Sequence, residues 1–288
     1  MRCLALDTIP TGRYDIIIMV RWNATLLARA GWNQIDTHVR VVTVDGLWRA
    51  IGVLTAYPLQ ETESWTPETV GSAMMYYPLV GALIGISLWM LYVLLSALFA
   101  LPIVHVLLLA GLVLITGGLH INSLATTVDG LNRGNSREDI LQIFKDIHVG
   151  TIAVVVVLLI VLLKYACLSQ LSDHDMLTAL ILMATLSRYG MVQMACFSPY
   201  ALASGSLGEP FLRGVRHEHF RATLLMTFLL VWGFGGTPGL FIGCLVALAT
   251  LGYQAYCVRH LGGITADVLS ATNEVNESLV LLLITMVY

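Results

Sequence analysis

Long apolar stretches dominate this chain, and most are close to 20 residues. They run over roughly 73–99, 101–119, 149–171, 176–198, 222–258 and 268–288. About 30 Å of hydrocarbon requires a helix of that length, at about 1.5 Å of rise per residue. The stretch over 222–258 is too long for one crossing, and WGFGGTPG at 232–239 divides it, because Pro238 and the glycines favour a turn. GLWRAIGVLTAYPL at 46–59 is shorter and reads as interfacial or re-entrant. Composition agrees: 57% of the 288 residues are hydrophobic and 11% are charged, against about 25% charged in soluble domains. The expected fold is an all-α polytopic integral membrane helical bundle with about six to seven transmembrane helices.

Charge sets the expected orientation. One loop holds Arg133, Arg137 and Lys145, a second holds Arg213, Arg216 and Arg221, and a third holds Arg259. The alternate connections, near 100, 172–175 and 235–238, hold neither lysine nor arginine. Counting spans puts the basic loops on one side, and the positive-inside rule makes that side cytoplasmic. The expected location is the cell (inner) membrane, multi-pass, with the lipid bilayer as surroundings and the polar loops facing the cytoplasm. A net charge of −3 carries no basic footprint, so no nucleic-acid partner is expected. A homo-oligomer is compatible with the sequence. The five cysteines, Cys3, Cys167, Cys196, Cys244 and Cys257, form no CxxC pair and read as small buried hydrophobes. Residues 1–45 carry no apolar core of spanning length and do not form a secretory signal. They read as a soluble extension or as the product of an upstream start, ahead of a membrane domain over 46–288.

Polar residues gather at the ends of the apolar runs on the basic side. In GGLHINSLATTVDG (117–130), Asn122, Thr126 and Asp129 are spaced i, i+4, i+7. On a helix over 120–131 they fall within about 60° of one face. Oxygen ligands on one face suit a hard divalent cation such as Mg²⁺ shared with phosphates; a solvated helix face is the plainer alternative. In GGITADVLSATNEVNE, Asp267 and Glu274 are seven residues apart, with Glu277 about 80° round the helix. They read either as acids at the positive end of a helix dipole or as a second carboxylate cluster. KDIHVGT (145–151) offers Lys145 beside a helix N-terminus, a pairing able to bind phosphate or simply to flank a span. SPYALASGSLGEPF (198–211) reads as a tight glycine loop. Lys164 and Arg188 lie inside apolar runs, where a charge needs an acidic partner or a polar cavity. His120 abuts the first cluster, but no HExxH spacing accompanies it, so a zinc site is not expected.

Taken together, these stretches resemble the cobalamin synthase family, adenosylcobinamide-GDP ribazoletransferases, from about residue 47 onward. TGGLHINSLATTVDGL (116–131) is similar to the family's TGGLHLDGLADT-x-DGL pattern. SREDILQIFKDIHVGT (136–151) resembles the next block, SPYALASGSLGEPF a YAR…GLG…F loop, and GGITADVLSATNEVNE a GG-x-TGD-x-LGA-x-x-E-x-x-E ending. The departures are specific. Asn122 and Thr126 stand where the pattern has aspartates, Ser123 replaces a glycine, Ala266 and Ser270 replace glycines, and Leu202 stands at the arginine of YAR.

The resemblance implies a membrane phosphotransferase of the last steps of cobalamin biosynthesis. Its substrates are adenosylcobinamide-GDP and α-ribazole (or its 5′-phosphate); its products are a cobalamin and GMP. With it come expectations for individual residues. Asn122, Asp129 and Glu274 are expected to hold Mg²⁺. Asp129, Asp267, His120 and Lys145 are expected to serve catalysis, with an acid or His120 as base and Lys145 on phosphate charge. Asp146, Gly205, Gly208, Arg188 and Glu277 are expected to contact substrate. Two rivals accompany this reading: a degenerate homologue that binds corrinoid or nucleotide, and a small-molecule transporter using Lys164 and Arg188. The clustering of polar residues at one face argues against transport, and no inverted repeat is visible.

Overall fold

The computed structural model describes residues 45–57, 67–146, 148–201 and 214–288. Gly205, Gly208, Leu202 and the first 44 residues lie outside the described residues. The described chain is all helical: α1 (45–54), α2 (Pro67–Met74), α3 (Tyr77–Ser96), α4 (Leu101–Thr116), α5 (Leu119–Arg133), α6 (Arg137–Ile143), α7 (Thr151–Gln170), α8 (Met176–Phe197), α9 (His217–Leu261) and α10 (Ala266–Val287).

The bundle is built around α8. Every residue from 179 to 195 is buried, including the polar Thr185, Ser187, Arg188 and Gln193. α3, α9 and α10 pack against it. The α3 contact is unusually close because α3 presents Gly81 and Gly85, one turn apart. A Cβ at Gly81 would lie 2.2 Å from the Ala184 carbonyl oxygen, and one at Gly85 would lie 2.6 Å from Ile181 Cα. Small residues at this spacing let membrane helices meet backbone to backbone. The other side of α3 exposes Leu83, Met90, Val93 and Leu94, and α7 exposes Val154, Leu158, Leu159 and Leu162. These outward apolar faces have no water-soluble use and suit hydrocarbon. The protein is a polytopic membrane bundle.

Four described helices, α3, α7, α8 and α9, are long and apolar enough to cross a membrane, or five spans if the bent α4–α5 pair counts as one. The larger number expected from hydropathy differs for local reasons. α9 has 45 residues, about 68 Å if straight, yet it folds back on itself at Gly236 (φ 55°, ψ −147°), beside Pro238. A Cβ on Gly239 would lie 3.2 Å from the Val231 carbonyl oxygen, whereas a straight helix would hold those residues about 12 Å apart. Both ends of this hairpin reach Phe197: Phe220 stacks edge-on to it at 4.8 Å, and Gln254 Nε2 donates to its carbonyl at 2.6 Å. α4 stops after 16 residues, at Gly117 and Gly118, both left-handed (φ 64° and 69°), and α5 leaves at 88° to it. α10 carries Asp267, Glu274 and Glu277 in its first twelve residues, so only its last ten are free of charge.

The α3–α8 seam generates a stability test. Gly85→Leu and Gly81→Leu drive a side chain into the α8 backbone and should each cost about 1–3 kcal/mol or more, seen as a lower melting temperature in detergent. Gly233→Ala and Gly252→Ala meet nothing within 4 Å and should leave that temperature unchanged. Equal effects at all four positions would contradict the close seam.

Candidate functional site

The polar blocks meet at one end of the bundle. Arg137 of α6 ties three of them: its Nε donates to the Leu261 carbonyl and its Nη2 to the Ala201 carbonyl, each at 2.7 Å. Tyr200 and Ile264 form a parallel bridge, with Ala201 N donating to Ile264 O at 3.0 Å and Ile264 N to Pro199 O at 2.9 Å. A Cβ on Gly263 would sit 2.5 Å from the Pro199 carbonyl oxygen, so the GG pair is needed for this approach. The stretches beginning at Gly117, Ser136, Ser198 and Gly262 thus share one rim.

Asp129 occupies the junction of α5 and α7. Its carboxylate is 2% exposed. Oδ2 accepts from the backbone N–H of Gly150, the residue that caps α7, while Oδ1 is buried without a partner among the described residues. A Cβ on residue 150 would fall 2.4 Å from Oδ1, so glycine is the residue that lets the carboxylate lie there, against the positive end of the α7 dipole. Asn122, on the same stripe of α5, is exposed. Thr126 spends its hydroxyl proton on the Asn122 carbonyl at 3.1 Å. Lys145 is exposed just after α6. Asp146 accepts from His148 N at 3.1 Å and meets its ring Nδ1 at 2.7 Å, and the hydrogen bond from His148 holds that carboxyl below its usual range.

Asp267 is the second residue of α10, two after the Thr265 cap, whose hydroxyl accepts from Val268 N at 3.2 Å. The Ser123 hydroxyl of α5 donates to Asp267 Oδ1 at 3.2 Å. Asp267 therefore faces α5, on a different side of that helix from Asp129.

Two turns further along α10 lies a buried ion cluster. Lys164 Nζ of α7 binds Glu274 Oε2 at 2.6 Å and Glu277 Oε2 at 2.5 Å. Arg188 of α8 pairs through Nη1 with Glu277 Oε1, which also accepts from Asn273 Nδ2 at 2.9 Å. Arg188 is 0% exposed, yet its Nε and Nη2 have no partner among the described residues. Two cations face two anions, and their mutual pairing opposes a desolvation cost of several kcal/mol per ion. His120 of α5 is 1% exposed, faces Arg188, Glu277 and Lys164, and has neither ring nitrogen hydrogen-bonded among the described residues.

The structure thus brings Asn122 and Asp129 to one stripe, Asp267 to Ser123, and Glu274, Glu277, Arg188 and His120 to an interior cluster. It does not bring Glu274 beside Asn122 and Asp129. Lys164 and Arg188 find acidic partners, as charges inside apolar runs require. The identity of those partners, Ser123 as the partner of Asp267, and Gly150 as the seat of Asp129 were missed in the sequence. The one available signal was the pair of acids at i, i+3 in an apolar helix matching two cations in two others.

Fit to a divalent cation rests on Asp129. Its unpartnered Oδ1 is a charged oxygen able to hold Mg²⁺ when phosphates and water complete the shell, and Asn122, exposed two turns earlier on the same stripe, offers an amide oxygen. No group of three His, Cys, Asp or Glu side chains forms a metal cage among the described residues. A cavity of about 620 Å³ lies at the opposite end, lined by Trp89, Asp173, Asp175, Thr178, Pro238 and Tyr288. Its carboxylates are already engaged, Asp173 by the Tyr92 hydroxyl and Asp175 by the Ser172 hydroxyl, and it is remote from the shared rim.

The model of the family described as cobalamin-5-phosphate synthase matches residues 46–285. Curated relatives named adenosylcobinamide-GDP ribazoletransferase match over most of their length. The one from Pseudomonas fluorescens is 34% identical over 236 residues, 82% of this chain and 96% of the relative. That from Desulfitobacterium hafniense is 34% identical over 247 residues, 82% and 94% of the two chains. That from Acetivibrio thermocellus is 30% identical over 233 residues, 81% and 94%. No solved structure matches. With matched sequence running through every described helix that builds the rim and the ion cluster, the chain belongs to the cobalamin-5-phosphate synthase family.

Proposed function

We propose that this protein is an adenosylcobinamide-GDP ribazoletransferase, joining adenosylcobinamide-GDP to α-ribazole or its 5′-phosphate and releasing GMP. The observation that carries this reading is the convergence of four polar blocks on one rim of a lipid-facing bundle, with Asp129 buried where α5 meets the start of α7. In the reaction a ribazole hydroxyl oxygen bonds to the diphosphate phosphorus that carries cobinamide. The bond from that phosphorus to the bridging oxygen breaks, and its electrons leave with GMP. The hydroxyl proton passes to a carboxylate. Such transfer depends on positioning and charge neutralisation more than on covalent help.

Asn122 and Asp129 would hold Mg²⁺, which when bound supplies neutralising charge to the diphosphate. Asp267 is the base: Ser123 fixes its Oδ1, which leaves Oδ2 to accept the proton. Asp267 is chosen over His120, which is enclosed with the ion cluster. Lys145, exposed on the rim, attracts phosphate, and Asp146 with His148 shapes the turn that presents it. The rim faces the cytoplasm of a cell whose inner membrane holds the bundle, where both water-soluble substrates are at hand. The basic residues on that side support this orientation.

Asp129→Asn keeps the hydrogen bond from Gly150 but removes the charge. Turnover in membranes should fall at least about 100-fold, the scale expected for losing one transition-state electrostatic contact, with helical content in detergent unchanged. Retained turnover would remove Asp129 from the reaction. Gly150→Ala should give a similar loss by pushing the carboxylate aside. Asn122→Asp adds a formal charge to the metal site and should lower the Mg²⁺ concentration for half-maximal rate by roughly tenfold; an unchanged requirement would separate Asn122 from the metal.

A further inference from the structure

We propose that Lys164 and Arg188 are positioning residues: they lock the rotation of α10 so that Asp267 is delivered to Ser123 on α5. The argument is geometric. Glu274 is seven residues after Asp267, two helical turns, so the two side chains leave α10 within about 20° of the same direction. Glu277 leaves it about 80° away. The two glutamates are held by cations on two different helices, Glu274 by Lys164 of α7 and Glu277 by Arg188 of α8. Lys164 also reaches Glu277. One anchored side chain would still let a helix roll about the contact; two anchors at different azimuths, on different neighbours, do not. The Asp267–Ser123 bond is the rim end of that fixed face.

The cluster is suited to this task because its anchors are rigid. α8 is buried on all sides, and the charges are sealed from water, so none can exchange its partner for solvent at small cost. The surrounding helix face is polar enough to keep the register unique. Asn273 donates to Glu277, and Asn276 Nδ2 donates to Thr250 of α9 at 3.0 Å. A Cβ on Gly190 of α8 would lie 2.1 Å from Asn276 Nδ2, so α10 also meets α8 too closely to rotate past it. Glu274 and Glu277 accordingly serve as anchors rather than as ligands of Mg²⁺. The clamp itself stands without the proposed reaction; only its kinetic consequence rests on that reading.

The test is disulfide trapping in membranes. Ser123→Cys and Asp267→Cys are combined in a chain whose native cysteines are replaced by serine or alanine, and oxidised with copper–phenanthroline. The clamp predicts rapid cross-linking in this background, a rate at least fivefold lower when Lys164→Gln is added, and recovery to within twofold with Lys164→Arg. An unchanged rate with Lys164→Gln overturns the proposal. If Lys164→Gln yields no folded protein, the exchange Lys164→Glu with Glu274→Lys takes its place. Cross-linking within twofold of the background supports the clamp, and a fivefold loss in folded protein overturns it. Activity supplies a second readout in the otherwise native chain. Glu274→Gln should lower kcat while leaving the Mg²⁺ concentration for half-maximal rate unchanged, and Lys164→Gln with Glu274→Gln should be no worse than either alone. A rise of more than tenfold in that Mg²⁺ requirement for Glu274→Gln, with cross-linking intact, would make Glu274 a metal ligand and sink the proposal.

Discussion

Four buried charges hold the functional half of this molecule together. Lys164, Glu274, Glu277 and Arg188 come from α7, α8 and α10, and His120 of α5 is buried within electrostatic reach of them. In a bilayer, apolar contacts give helices little reason to choose one neighbour over another, because lipid is as apolar as leucine. An ion cluster does choose. Each member must find its partners or remain an uncompensated charge in a low-dielectric interior, a penalty of several kcal/mol. The cluster therefore specifies which faces of the helices meet, and the rim inherits its geometry from them.

The second constraint is steric. Gly81 and Gly85 bring α3 onto α8, Gly150 lets Asp129 lie at the N-terminus of α7, and Gly263 lets the chain before α10 pair with residues 199–201. At each of these positions a single methyl group would meet backbone or the carboxylate itself. Gly117 and Gly118, both left-handed, turn α5 across the bundle instead of continuing α4. That turn makes α5 an element of the rim: Asn122 is exposed and Asp129, two turns later on the same stripe, is buried, while His120 is buried on the opposite side of the helix.

Much of this was legible in the sequence. The runs over 149–171 and 176–198 correspond to Thr151–Gln170 and Met176–Phe197, the helix over 120–131 lies within Leu119–Arg133, and the break expected in WGFGGTPG falls at Gly236. Such features are local: apolar length, turn residues and periodicity determine them. The site was legible as a set of blocks but not as pairs. Nothing in the spacing of Asp267, Glu274 and Glu277 says that the first faces Ser123 while the other two are neutralised by Lys164 and Arg188. Those partners are separated by 144, 110, 113 and 89 residues and are decided by packing. That Asp129 is the one charged member of the Asn122–Thr126–Asp129 stripe was legible from the residue types; that Thr126 is bonded to its own helix and that Asp129 alone of the three is buried was not.

The most direct measurement is turnover by the unaltered protein in its membrane. Membranes containing it would be given adenosylcobinamide-GDP, α-ribazole and Mg²⁺, and GMP and the cobalamin product followed together. The account predicts equimolar release of both, dependent on all three additions and absent from membranes lacking the protein. No product from protein verified as folded would contradict it, and would mean that a rim with a single charged residue on its Asn122–Thr126–Asp129 stripe no longer performs the transfer.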